Sequence, residues 1–448
     1  MDWEKYKLGE ICRIEKGITG INKAIPGDFP MVVTSEERKS HNEYQIDDDA
    51  VIIPLVSSTG HGHKSLKRIH FQQGKFALGS ILCAVIPKDR KVLSAEYLYR
   101  FLDLNKENEL VARMKGMANV TLPMKEIAQI EIPLPPIAEQ IEFTKKHDKL
   151  ENSSELISSE FTHQLDLLKK LRQQILQDAV QGKLVPQDSN DEPASVLLER
   201  IKAEKEQLVR EKVIRKEKTL PIIQNDKCPF AIPESWIWSR LGEICIKITD
   251  GTHHSPLNSE TGEIKYVTAK NIKDNGIDLT NITYISQDLH EEIYNRCNPE
   301  YGDLLFIKDG ATTGIVTISN LQEQFSLLSS VALLKLPKEI HNKFLMYAIR
   351  SPFFYNSTRN DMFGVAITRV TLEKIQYSGI PIPPLLEQHR IVAKIDQLIK
   401  LCDELEHTIK QNQTYTRQLL QVALKEALEP SASEYTHRDQ TKIIQMKC

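Results

Sequence analysis

One unit is written twice in this chain, and that duplication limits the possible folds more than any single motif. Trp3 with Leu8-Gly9-Glu10-Ile11-Cys12 returns as Trp236 with Leu241-Gly242-Glu243-Ile244-Cys245, at one constant offset. Later, Ile132-Pro133-Leu134-Pro135-Pro136 with Glu139-Gln140 returns as Ile380-Pro381-Ile382-Pro383-Pro384 with Glu387-Gln388. Gly116 and Ala118 return as Gly364 and Ala366 in the same register as the proline blocks. The second copy is longer by about 15 residues, all in its variable middle. Each copy is the size of a domain, far too long for a solenoid repeat.

Within each copy the pattern is mixed. Ala50–Ile53, Ser80–Ile86 and Asp303–Ile307 are short apolar runs bounded by Gly, Pro or Asp, which predicts strands. Ala95–Leu104 and Asn342–Ile349 read as short helices. The proline blocks then change the period. Proline cannot continue a preceding element but suits the first turn of a helix. After Pro136 and after Pro384 the chain runs to Gly182 and Pro430 with no Gly or Pro. Ile391, Ile395, Leu398, Cys402, Leu405 and Ile409 recur in alternating steps of four and three, a heptad seam. Phe143, His147, Leu150, Ser154, Ile157, Phe161, Gln164, Leu168, Leu171 and Ile175 follow the same rule. Ser154, Gln164 and Asn412 place polar groups on the seam, a device that fixes register. Each helix is expected to reach roughly 65 Å at about 1.5 Å per residue.

The expected fold is α+β: two globular α+β units alternating with two long helices that pair as an antiparallel coiled coil. The expected boundaries are a first globular unit at 1–134, a long helix at 135–182 and a charged, partly helical linker at 183–232. A second unit at 233–382, a second long helix at 383–430 and a tail at 431–448 follow.

Composition removes several classes of function. The 448 residues carry 58 Lys and Arg against 61 Asp and Glu, a formal charge of −3, which is unlike a basic nucleic-acid coat. Local patches are still compatible with DNA binding. The seven cysteines are scattered, with no C-x-x-C pair, so neither a disulfide framework nor a zinc ribbon is expected. No basic-then-apolar leader opens the sequence and no run approaches 18 apolar residues, so a cytoplasmic protein without a membrane partner is expected.

The order of globular unit, I-P-x-P-P-x-x-E-Q, long helix, charged linker and W-x-x-x-x-L-G-E-I, followed by a second unit and helix, resembles the specificity subunits of type I restriction–modification systems over nearly the whole chain. Ala179-Val180-Gln181-Gly182-Lys183-Leu184, Gly302-Asp303-Leu304-Leu305 and Gly310-Ala311-Thr312-Thr313-Gly314 add to the likeness. The first unit lacks an obvious Gly-Asp-hydrophobic block. The resemblance implies two target-recognition domains reading a bipartite asymmetric DNA site. It implies as partners double-stranded DNA, two adenine methyltransferase subunits and motor-nuclease subunits. S-adenosylmethionine, ATP and Mg then belong to those partners, and this chain binds no cofactor and catalyses nothing.

The candidate DNA contacts come from residue chemistry. Between Val51 and Pro87 there is no acidic residue, while Ser58, Thr59, His61, His63, Lys64, Lys67 and Arg68 gather there. Hydroxyls and cations in a glycine-bearing loop suit phosphate and groove contact; a solvated sheet edge is the alternative. The histidines lack a Cys, Asp or Glu beside them in the window, so no metal is expected. In the second unit Asp250, Thr252, His253, Lys270, Asn271, Lys308 and Arg369 form the candidate set, since Asn, Lys and Arg can read base edges. Gln140, Leu167, Leu176, Gln388, Arg390 and Leu401, on or beside the long helices, are the candidate partner interface.

Catalytic motifs do not fit. Gly310–Gly314 lacks the G-K-[ST] ending of a nucleotide loop. The proline blocks lack the carbonyl side chain and stacking ring of an amino-methyltransferase. Asp250 with Glu263-Ile264-Lys265 is only a faint nuclease pattern. A self-contained modification or restriction enzyme and a duplicated scaffold without DNA specificity are the competing readings.

Overall fold

The short apolar runs form strands because they are buried on both faces and bounded by turn residues. The computed structural model describes residues 3–59, 62–216, 219–221, 223, 228–254, 256–359 and 369–426. The described residues fall into two compact units: those within 3–162 together with 410–426, and those within 163–409.

In the first unit, β1 (Cys12–Lys16), β2 (Ala50–Pro54), β3 (His70–Gln72) and β4 (Leu82–Pro87) form an antiparallel sheet in the order β1-β4-β2-β3. β2 and β4 are buried along their whole length. One face of the sheet packs on α1 (Ala95–Leu104) through Tyr97, Leu98, Phe101 and Leu102. A second sheet pairs Phe29–Val32 parallel to Lys75–Leu78, with Lys39–His41 and Ile46–Asp47 at its edges. Lys5–Lys7 and Glu131–Pro133 close the unit as an antiparallel pair at the foot of α2 (Ile137–Val180).

Helix α2 starts where the proline block predicts, with Gln140 N donating to Pro136 O at 3.1 Å. The charged stretch that follows contains α3 (Ala194–Arg210). Its one apolar face, Ala194, Leu197 and Ile201, is buried in the second unit's core, so this helix is more than a solvated linker.

The second unit repeats the first. β5 (Lys247–Asp250), β6 (Leu304–Ile307), β7 (Val316–Ile318) and β8 (Val331–Lys335) stand in the order β5-β8-β6-β7. Ile264–Val267 runs parallel to Phe325–Leu327 in a smaller sheet, as its counterpart does in the first unit. α4 (Asn342–Arg350) takes the place of α1. Ile237–Arg240 pairs with Gly379–Ile382 at the foot of α5 (Leu385–Glu426).

Within the second unit α2 and α5 run antiparallel. Gln187, just past α2, bonds Glu387 at the start of α5, whereas Arg172 within α2 bonds Asp403 and Glu406 farther along α5. The seam keeps the predicted Leu168, Ile175, Ile391, Ile395, Cys402 and Ile409, all buried, and departs from the prediction at single positions. Leu171 and Leu405 are 49% and 50% exposed, and Ile157 is exposed too. The seam steps instead through Arg172 and Glu406, which are both half-buried. From Leu398 through Cys402 and Glu406 to Ile409 the steps on α5 are then four, four and three, with Cys402 and Ile409 still one heptad apart. Asn412 faces solvent, while Ser154 and Gln164 are half-buried.

Candidate nucleic-acid interface

Sheet topology selects one end of each unit. β1 and β2 are both antiparallel to β4, so their carboxyl ends leave the same edge of the sheet. The loop after β2 runs through the basic window. A third segment is stitched to it: Ser57 N donates to Val120 O at 3.0 Å, and Leu122 N to Leu55 O at 2.9 Å. β5 and β6 make the same edge in the second unit, where Val370 N donates to Lys308 O at 2.8 Å.

In the first unit the structure brings Ser58, Thr59, His63, Lys64 and Lys67 into one loop. Ser57 Oγ donates to His63 O at 2.5 Å, Thr59 Oγ1 to Ser65 Oγ at 3.2 Å, and Lys67 N donates to Ser58 Oγ at 2.8 Å. The hydroxyls therefore shape the loop as well as facing outward. Ser58, Thr59, His63, Lys64 and Lys67 are exposed. Arg68 is half-buried and bonded to Glu36 at 2.8 Å, which neutralises it. His61 lies outside the described residues.

In the second unit three expected contacts prove internal. Asp250 is 1% exposed and Lys308 2%. Lys308 Nζ lies 3.3 Å from both Asp250 and Asp309, and Asp250 also meets Arg296 at 3.1 Å and His253 at 3.2 Å. A lysine directly after a fully buried strand survives only by such pairing. Asn271 is buried because its side-chain oxygen accepts from Thr268 N at 3.0 Å and its amide donates to Asp278 O. Thr252, His253, Lys270 and Arg369 keep solvent access, with Arg369 Nε 3.1 Å from Asp309. Of the faint nuclease pattern, Lys265 is paired with Glu323 at 2.6 Å, and Asp250 belongs to the buried ion cluster.

The helix feet contain another correction. Gln140 and Gln388 are fully buried, so neither presents a surface to a partner. Each is a latch. Gln140 accepts from Ser94 N at 2.8 Å and donates to Pro135 O and Val92 O, both at 2.8 Å. Gln388 accepts from His341 N at 2.8 Å and donates to Pro383 O at 3.1 Å. Arg390 is tied to Asp191 at 3.2 Å, and Leu176 packs half-buried against the core. Leu167 and Leu401 remain open, 48% and 54% exposed. Beside the second latch, burial pushes the Glu387 carboxyl up, although Trp236 and Gln187 both donate to it. His147, Asp148 and Glu151 also converge, but Arg100 donates to both carboxylates and supplies the cation there.

Sequence reasoning missed the segment at 112–121. Its signal was the repeated Gly-x-Ala, which counted only as a landmark of duplication.

A family model for the type I restriction modification DNA specificity domain matches residues 1–165 and 233–413, and the chain belongs to that family. Among curated relatives, the EcoAI specificity subunit of a type I restriction enzyme from Escherichia coli is 35% identical over 268 residues, 58% of this chain and 44% of the relative. The EcoEI specificity subunit, also from Escherichia coli, is 30% identical over 302 residues, 62% of this chain and 47% of the relative. The chain thus spans under half the length of these two relatives. The EcoDI subunit from Escherichia coli aligns over 95% of this chain and 88% of its own length, at 23% identity. The HsdS subunit from Thermoanaerobacter tengcongensis superposes with a TM-score of 0.54 at 19% identity, covering 95% of this chain and 96% of that one. A chain from a structure of complex assembly and conformational transition of the type I R-M system gives 0.56 at 18%, covering 96% and 98%. These two likenesses establish the fold: α+β units with long paired helices.

Proposed function

We propose that this chain is the non-catalytic DNA-reading subunit of a type I restriction–modification complex, with each α+β unit reading one half of a bipartite asymmetric site. The observation that carries this reading is a frame built twice and finished differently at one edge. Sheet order and glutamine latch repeat, whereas the loops leaving β2 and β6 differ in length, charge and chemistry. A protein that must read two different sequences with one architecture varies the loops and keeps the frame.

Double-stranded DNA is the substrate surface's partner. Ser58, Thr59, His63, Lys64 and Lys67 face the first half-site; Thr252, His253, Lys270 and Arg369 face the second. The long helices hold two adenine methyltransferase subunits, with Leu167 and Leu401 as contact points, and motor-nuclease subunits complete the assembly. S-adenosylmethionine, ATP and Mg act in those partners, in the cytoplasm. Among the described residues no helix is long and apolar enough to cross a membrane.

The test is an exchange of residues 1–134 for those of a relative, followed by mapping of methylated adenines. One half of the motif should change and the other should stay. A change in both halves, or in neither, overturns the reading. Separately, the purified chain without partners should not methylate DNA when given S-adenosylmethionine; methylation there would reveal a self-contained enzyme.

A further inference from the structure

We infer that Met117 is an apolar wedge that enters between base pairs of the first half-site. The inference rests on the proposed reading of this edge as the DNA surface and adds a specificity-determining residue to it.

Met117 is 92% exposed. Leaving such a side chain in water forfeits about 1.5–3 kcal/mol relative to burying it. The backbone that presents it is tightly constrained. Lys115 and Thr121 exchange both backbone hydrogen bonds at 2.8 Å, closing a short loop around it. Gly116 has φ +116°, and a Cβ there would lie 2.3 Å from Asn119 O. Only glycine fits that turn without strain. From behind, Gly62 presses on the tip: a Cβ on Gly62 would lie 2.6 Å from Met117 O. The stem is stitched to the strand end by Ser57 N and Leu122 N. The fold thus holds an unbranched apolar side chain outward on a rigid mount.

The surroundings point to a polyanion. Among the described residues, Lys64 Nζ and Lys106 Nζ reach backbone carbonyls alone, those of Ala112 and Lys67, and Lys67 is exposed beside them. Two acids of this region are already matched, Glu109 with Arg113 at 3.0 Å and Glu126 with Lys115 at 2.7 Å, while Glu107 beside Lys106 is exposed. Lysines that reach only carbonyls, in segments bonded to the one that carries this apolar tip, fit phosphates beside a base stack, where Met, Leu, Ile and Phe serve as wedges that unstack one step and kink the duplex. The tripeptide Gly116-Met117-Ala118 recurs in the sequence as Gly364-Val365-Ala366, which lies outside the described residues.

The experiment uses the assembled methyltransferase complex and a duplex carrying its mapped motif, with 2-aminopurine placed in turn at each step of the first half-site. Binding should raise fluorescence several-fold at one step. Met117→Ala should abolish that rise and weaken binding about tenfold, which corresponds to about 1.4 kcal/mol. Met117→Leu should keep both. Because the side chain is exposed, neither variant threatens folding. The reference variant is Lys64→Ala with Lys67→Ala. If that pair weakens binding but no step brightens, or Met117→Ala leaves the bright step unchanged, the wedge falls and the DNA surface stands. If neither set of changes affects binding, the surface reading falls with it.

Discussion

The two α+β units are one frame carrying different chemistry. Val51 and Leu304 occupy the same place, each paired across the sheet to its counterpart, Val85 or Leu334. Four residues on, Leu55 matches Lys308; each donates its N–H to the residue just before the neighbouring strand, Ile81 or Ser330, and accepts from Leu122 or Val370. A half-buried leucine in one unit is thus a buried, ion-paired lysine in the other. Likewise His70, opposite Ile52, corresponds to Thr317, opposite Leu305. The stretch between β2 and β3 is also longer than that between β6 and β7, and the extra length is the basic window. What stays constant is backbone pairing and the glutamine latch. What varies is the side chain at positions that backbone pairing leaves unspecified.

The largest effect should come from the shared frame. A Cβ on Gly17 would lie 2.0 Å from Gly79 O, and one on Gly251 would lie 1.7 Å from Leu327 O. Backbone cannot yield that far, so Gly17→Ala and Gly251→Ala should each cost more than about 4 kcal/mol. Peptide-resolved hydrogen exchange on the full chain would locate the damage. Each substitution should loosen its own sheet; loosening of both sheets by either one would show that the units are not separate frames.

The next effect should belong to the second unit alone. Lys308→Leu installs the first unit's residue but leaves Asp250 and Asp309 short of a buried cation, at a cost of about 3 kcal/mol. Adding Asp250→Asn should recover part of the loss. If the single change is neutral, the ion cluster contributes nothing and the leucine of the first unit would serve equally in the second.

The latches should then behave alike. Gln140→Ala strands Ser94 N–H, and Gln388→Ala strands His341 N–H. A buried unpaired donor costs about 1–3 kcal/mol, so each change should cost about 2 kcal/mol. Exchange should rise at the start of α1 in the first variant and of α4 in the second. Unequal losses would break the equivalence of the two feet.

Much of this was legible in the sequence because it is periodic or punctuated. The proline blocks marked the starts of α2 and α5, and α1 and α4 stand where their periodicity placed them. Strand pairing was not legible, since order within a sheet leaves no local signature. Nor was the charged layer of the seam. Leu171 and Leu405 look like heptad residues, yet the buried line passes through Arg172 and Glu406, whose mutual bond at 2.9 Å makes a charged layer tolerable there. Hydrophobicity alone could not predict that layer. Candidate contacts failed in the same way. Asp250 and Lys308 are far apart in sequence, and neither shows by itself that the other waits 3.3 Å away to bury it.

The smallest effect separates the units by pH. His70 is 5% exposed, and burial, with Arg38 and Arg68 nearby, lowers its pKa from 6.5 to about 4, only partly offset by the Val33 backbone and Glu36. The folded first unit therefore holds His70 neutral, whereas the unfolded chain takes up a proton below about pH 6.5. Its contribution to stability is complete above that pH and falls away as pH drops from 6.5 towards 4. The full loss should be about 1–3 kcal/mol, because each pKa unit corresponds to about 1.4 kcal/mol and some charge is screened. Thr317 at the matching place cannot titrate in this range. Exchange in β2 and β3 should thus quicken between pH 6.5 and 4 relative to β6 and β7, once intrinsic exchange rates are removed. His70→Thr should erase that difference while leaving the second unit unaltered. If the first unit still loosens in the variant, another group carries the pH dependence, and the contrast between His70 and Thr317 has no thermodynamic consequence.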